Sequence, residues 1–178
     1  MSASFPRQRG AVLVVSLLVL LIMTLIGVSG ATSIIMQEKM TFASRDAQLA
    51  LQVAESAVRT AEEEIESLVD ISSFNSSGNG GLYVEGEAPT DLFNEVTWDS
   101  AKTQEITVSM EGKTFPARYF IELAGEIDPE VMAGSVEIHG SNNVVATSGS
   151  VKVFRIVARG QGLANTRRML VTYYGKLL

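Results

Sequence analysis

The sequence predicts an α+β protein in which one long N-terminal helix, hydrophobic and then amphipathic, packs on an antiparallel β-sheet head. Three observations carry that expectation. Residues 11–71 contain no proline and repeat small or apolar residues at helical spacing. Runs of branched and aromatic residues recur over 105–174, and a Ser/Asn/Gly-rich passage separates the two regions. A chain of 178 residues then amounts to one domain with an appendage.

The appendage comes first. Residues 1–10 are polar and positive, with Arg7 and Arg9 just ahead of Gly10. No charge falls within residues 10–37, and AVLVVSLLVLLIMTLIGVSGA (11–31) supplies the roughly 20 residues a helix needs to cross a bilayer. Ser16, Thr24 and Ser29 are compatible with insertion, because a hydroxyl can bond back to the preceding turn. The two arginines orient the N-terminus to the cytoplasm, so the chain beyond Gln37 faces away from it. A disposable secretion signal would share the positive start and could end at Ser29-Gly30-Ala31. Its apolar run, however, would span about 7–15 residues and its helical pattern would stop there. Gly27 and Gly30 read as places of close helix packing.

The pattern continues instead. Met36, Met40, Ala43, Ala47, Ala50, Ala54, Ala57, Ala61, Ile65 and Leu68 succeed one another at steps of three and four, which draws one stripe along a helix. Glu55 precedes Arg59 by four, and Arg59 precedes Glu63 by four, so the polar side is supported as well. A helix from Ala11 to about Val69 would extend roughly 88 Å.

After Ile71, SSFNSSGNGG and LYVEGEAPTD read as loop, an exposed connection from helix to sheet. Asp70, Glu85, Glu87 and Asp91 suggest calcium, but no EF-hand spacing is present and a solvated acidic loop is the favoured reading. EITVSM (105–110) and ARYFIEL (117–123) read as strands with Gly112-Lys113 between them. Asp128-Pro129 marks a turn and SVEIHG (135–140) a short strand, while Ser141-Asn142-Asn143 and Ser148-Gly149 punctuate the passage to residue 150. VKVFRIVAR (151–159) and TRRMLVTYY (166–174) form a hairpin, with Gly160 and Gly162 expected at positive φ in its turn. This G-x-G has no helix pattern behind it, so it is not a dinucleotide loop.

The composition excludes much chemistry. Cysteine is absent, so no disulfide, thiolate nucleophile or cysteine zinc site exists. His139 is the single histidine, which removes His-pair metal sites and most Ser-His mechanisms. Glu137, two before it, fits strand alternation. Glu62, Glu63, Glu64 and Glu66 point around a helix and read as a solvated face. No enzyme and no cofactor are expected. The formal charge of −6, or −8 once the first ten residues are discounted, argues against nucleic acid as a partner. Yet Lys152, Arg155, Arg159, Arg167, Arg168 and Lys176 crowd the last stretch without an acid among them. That basic hairpin, and Arg155, Arg159, Arg167 and Arg168 in particular, is a candidate subunit contact; pairing within the chain or between subunits ranks above DNA because stacking aromatics are not interleaved.

Basic residues, a glycine, about twenty apolar residues and an amphipathic helix resemble the class III signal of type IV pilins and pseudopilins. RQRGAVLVVSLLVLLIMTLIGVS, LALQVAESAVRTAEEEIE and the C-terminal FRIVARGQGLANTRRMLVTYY are similar to the PilX group of minor pilins. The resemblance implies a pilin-like fold divided into a leader (1–10) removed by a prepilin peptidase, a transmembrane or filament-core half-helix (11–35), an amphipathic half (36–70), an αβ-loop (71–104) and the sheet head (105–178). It implies cleavage after Gly10 and N-methylation of Ala11. Two departures stand out: the family's first mature residue is usually aromatic where Ala11 stands here, and its fifth is normally glutamate where Val15 stands. A carboxylate in hydrocarbon needs a partner, taken in the family to be a neighbouring subunit's N-terminal amine; Val15 offers none, which suggests a place at the filament tip or simply more apolar anchor.

The implied function is priming of type IV pilus assembly, with other minor pilins, a tip adhesin, the major pilin and the inner-membrane assembly platform as partners. The implied location is the inner membrane in a single pass with a periplasmic head, then the extracellular pilus. A type II secretion pseudopilin is the near alternative, and an unprocessed membrane-anchored binding or sensor domain the distant one.

Overall fold

The computed structural model describes residues 9–110, 112–127 and 150–178. The expected turn at Asp128-Pro129, the strand at 135–140, the punctuation at Ser141-Asn142-Asn143 and Ser148-Gly149, and Arg7, Glu137 and His139 lie outside the described residues. Two compact units are distinguished, Met1–Ser44 and Arg45–Leu178. The described elements are helix α1 (Arg9–Ser67), strands β1 (Leu82–Tyr83), β2 (Gln104–Met110), β3 (Lys113–Ile127), β4 (Val151–Gln161) and β5 (Arg167–Leu177), and two 3₁₀ turns, Asn79–Gly81 and Glu95–Trp98. The chain is thus an α+β protein of pilin-like arrangement, one long N-terminal helix followed by a mixed five-stranded sheet.

In the first unit, every described residue from Gly10 to Ser44 is solvent-exposed in the isolated chain, including Met36, Met40 and Ala43 of the expected stripe. In the second unit the stripe is buried from Ala50 to Ile65, while Ala47 and Leu68 at its ends are half-buried. Ala50, Val53, Ala54, Ala57, Ala61 and Ile65 have no exposed surface, so small residues bring the helix backbone close to the sheet.

The sheet is built around β3. Its first part pairs antiparallel with β2, from Met110↔Lys113 to Gln104↔Tyr119, and its middle pairs parallel with the short β1 through Leu82↔Ile121 and Tyr83↔Glu122. Pro116 sits where only β2 pairs with β3, a position where a missing N–H is tolerated. On the other side β4 runs antiparallel to β3, with a bulge between Leu123 and Gly125 that Gly125 allows by adopting φ 133. The β4–β5 hairpin keeps an unbroken register from Val151↔Leu177 to Gln161↔Arg167.

Both faces of the sheet centre are covered. On one, Val53, Ala57, Ala61 and Ile65 of α1 pack on Phe115, Ala117, Tyr119 and Ile121 of β3 and on Phe154, Ile156 and Ala158 of β4. On the other, the passage between helix and β2 folds back so that Tyr83, Ala88 and Trp98 enclose Phe120 and Val157. Trp98 anchors the passage by donating its Nε1–H to Leu92 O at 2.9 Å. The stretch expected to be only an exposed loop therefore carries β1 and builds a second core.

The glycines of the hairpin require a correction. Neither Gly160 nor Gly162 has positive φ; Asn165, at φ 63, takes the left-handed position. The two glycines are needed because the helix passes over them. A Cβ at Gly160 would lie 2.4 Å from Ala50 O and from Ala54 N, and one at Gly162 would lie 2.6 Å from Asp46 Oδ1.

Candidate functional site

The N-terminal junction is helical, with Gly10 and Ala11 already inside α1 and exposed. From Val12 to Val28 the large aliphatic side chains are 45–68% exposed, Val15 at 61% among them. The hydroxyls in this stretch turn back on the helix: Ser16 donates to Leu13 O at 2.9 Å, Thr24 to Leu21 O at 2.8 Å and Thr32 to Ser29 O at 2.9 Å. Their polarity is thereby satisfied internally. A Cβ on Gly10, Gly27 or Gly30 would meet nothing within 4 Å. Helix α1 is long and apolar enough to cross a membrane. What remains is a helical surface that is apolar on all sides, which in water needs lipid or other helices to cover it.

The basic hairpin lies on the second unit, and its cations are engaged by distant acids. Arg155 on β4 grips Glu122 on β3, with Nε to Oε2 at 2.6 Å and Nη2 to the same oxygen at 2.5 Å. Glu122 is 7% exposed. Its other oxygen accepts from the backbone N–H groups of Gly86 (3.0 Å) and Ala88 (3.4 Å), so this pair ties the returning loop to the sheet. Arg159 stacks 4.6 Å above the Trp98 ring centroid and donates to Glu95 at 3.3 Å. Arg167 pairs with the second oxygen of Glu95. Lys152 pairs with Glu126, and Arg118 pairs with Glu105 while donating to Trp98 O at 2.7 Å. Lys176 does a different job: its ammonium donates to the C-terminal carbonyls Ile65 O (3.0 Å), Glu66 O (2.7 Å) and Leu68 O (2.7 Å), closing the end of α1. Arg168 is exposed and forms no ion pair among the described residues.

Four of the acids read as solvated, Glu64, Glu66, Asp70 and Asp91, have partners. Tyr119 donates its hydroxyl to Glu64 at 2.7 Å, and Tyr174 donates to Glu66. Burial and then the Glu64 carboxylate push the Tyr119 phenol well above the ordinary tyrosine range. Asp70 accepts from Ser72 and Asp91 from the Phe93 N–H, both local turn contacts. Among the described residues, no group of three or more histidines or acids has metal-binding geometry.

One acid was not singled out by sequence. Asp46, on α1 but in the second unit, is 7% exposed and accepts from the N–H groups of Ala164 (2.9 Å) and Thr166 (3.3 Å) across the hairpin turn. Those hydrogen bonds, the Thr166 side chain's first, hold its carboxyl below the usual carboxylate range. Its position three residues after Ala43 and four before Ala50, on the same helix face as the stripe, was the available signal.

Comparison with known proteins bears on the helix. The family model described as PilX N-terminal matches residues 9–59. No curated protein and no solved structure matches the chain.

Proposed function

We propose that the chain, whose residues 9–59 match the PilX N-terminal family model, is a PilX-type minor pilin that primes pilus assembly without catalysing any reaction. A prepilin peptidase cuts after Gly10 and the new N-terminus at Ala11 is methylated. The apolar half of α1 then holds the subunit in the inner membrane, with the head in the periplasm. On assembly that same surface leaves lipid and packs against equivalent helices, so one apolar cylinder serves two solvents in turn. The partners are other minor pilins, a tip adhesin, the major pilin and the assembly platform.

The observation that supports this reading most is the uncovered apolar surface of residues 12–28 on a helix that matches the family. Val15 supports a place at the tip. Without a carboxylate there, the subunit has no charge to pair with the terminal amine of a subunit assembled before it, so nothing of that kind draws it beneath another.

Mass spectrometry of the protein purified from membranes tests the processing. A methylated N-terminus at Ala11 is expected; an intact Met1 would make it an unprocessed anchored domain, and a start near Thr32 a secreted one. Labelling the head on sheared filaments tests position: signal at filament ends is expected, and signal along the shaft would overturn the tip placement.

A further inference from the structure

Strand β5 is the last strand of the sheet, and among the described residues nothing pairs with its outer side. Natural edges are blunted by bulges, prolines, short length or charged side chains, and on β5 the charges sit at the two ends and leave its centre uncharged. This one has 11 residues, no proline and no register shift.

Two bonds at the ends of the hairpin define which backbone groups are open. Leu178 N donates to Ser150 O at 3.3 Å and Gly162 N to Thr166 O at 2.8 Å. In an antiparallel ladder the bonded pairs alternate, so even-numbered β5 residues face β4. The N–H and C=O groups of Arg167, Met169, Val171, Tyr173, Gly175 and Leu177 therefore point to the open side. The flanking surface is apolar at its centre: Val171 is 48% and Tyr173 64% exposed on one face. On the other, Val58, Arg59 and Glu62 of α1 form a groove with Leu170 and Thr172 of β5.

Charge says what belongs there. Three ion pairs within the sheet join residues directly opposite each other on neighbouring strands: Arg118 and Glu105, Arg155 and Glu122, Lys152 and Glu126. Strand β5 carries no acid. Arg167 is taken by Glu95 and Lys176 by the end of α1, so Arg168, exposed and without an ion pair among the described residues, is the charge left to a partner. A second copy is disfavoured, because parallel pairing of β5 with itself sets Arg168 against Arg168, and in either direction the strand offers no acid to that arginine.

We propose that the open edge of β5 receives an extended segment of another protein, apolar in the middle and bearing carboxylates at the end that meets Arg168, by strand addition. The inference goes beyond the assignment above, since it holds whether or not the chain is cut at Gly10.

The test uses the full chain in detergent micelles and two synthetic peptides that alternate threonine and valine, one ending in paired glutamates and one in paired lysines. Amide exchange at Val171 and Tyr173 is expected to be fast in the free protein and about tenfold slower with saturating glutamate peptide. Val171→Pro removes an outward N–H without touching the β4 ladder, and should weaken that peptide's binding about tenfold with the unfolding midpoint unchanged. Arg168→Glu, which leaves the backbone intact, should shift the preference towards the lysine peptide. Slow exchange in the free protein, equal binding of the two peptides, or a Val171→Pro variant that folds and binds as before would overturn the proposal.

Discussion

Glu122 illustrates how single residues hold this head together. Its carboxylate is nearly buried between Arg155 and two backbone donors from the returning loop, so every lone pair it directs inward meets a hydrogen. Replacing it with leucine strands the Arg155 charge and two N–H groups at once, and should cost about 3 kcal/mol in denaturant unfolding. Glu122→Gln keeps an acceptor for the loop but discards the charge, so its loss should be smaller, about 1–2 kcal/mol. If both variants cost the same, the ion pair rather than the loop tether sets the stability. Gly160 is held to its type by a different constraint. The main chain of α1 occupies the space a side chain would need, and that constraint is invisible locally because Ala50 and Ala54 lie more than a hundred residues away in sequence.

At the scale of elements, the turn between β4 and β5 is fastened to α1 by Asp46. The folded protein lowers that carboxyl's pKa. A depressed acid contributes stability that is fully present above its unfolded pKa, near 3.8, and is lost as pH falls through the folded value. The stability gap between the native chain and Asp46→Asn should therefore be constant near neutrality and close below about pH 4. Denaturation titrated from pH 7 to 3 measures it, and a gap that persists at the acid end would show that shape rather than charge fastens the turn. The same elements explain what the sequence could reveal. The hairpin strands were legible because their period-two patterning and flanking turn residues are local. Strand β1 was not, since two residues, Leu82 and Tyr83, make no pattern and become a strand only by pairing with Ile121 and Glu122. Strand β3 is buried on both faces at Phe120 and Ile121, so its alternation is blurred and its ends ran past the expected 117–123. The cluster of arginines was visible as composition, but their acids were not. Glu95, which holds both Arg159 and Arg167, comes from the loop on the far side of the sheet, and only the fold brings it there.

Over the whole molecule, two surfaces obey different solvents. The aliphatic side chains between Val12 and Val28 stand uncovered. At about 1.5–3 kcal/mol each for full burial, their combined demand for an apolar surrounding is on the order of 20 kcal/mol, more than a domain's net stability. No fold of the head could offset that in water, so the cover has to come from lipid or from other helices. The head makes no such demand. Both buried clusters, the one under α1 and the one under the returning loop, are composed of residues from Arg45–Leu178. Its close-packed alanines, its capped helix end at Lys176 and its paired arginines are all complete without the first unit. A fragment of Arg45–Leu178 should therefore fold on its own in detergent-free buffer. It should unfold in one cooperative step and show the near-ultraviolet dichroism of a rigid Trp98, as the full chain in micelles does. A collapsed head with a mobile tryptophan in that fragment would mean that the removed part of α1 contributes to folding as well as presenting an apolar surface. The division of labour between the two halves of the helix would then fail.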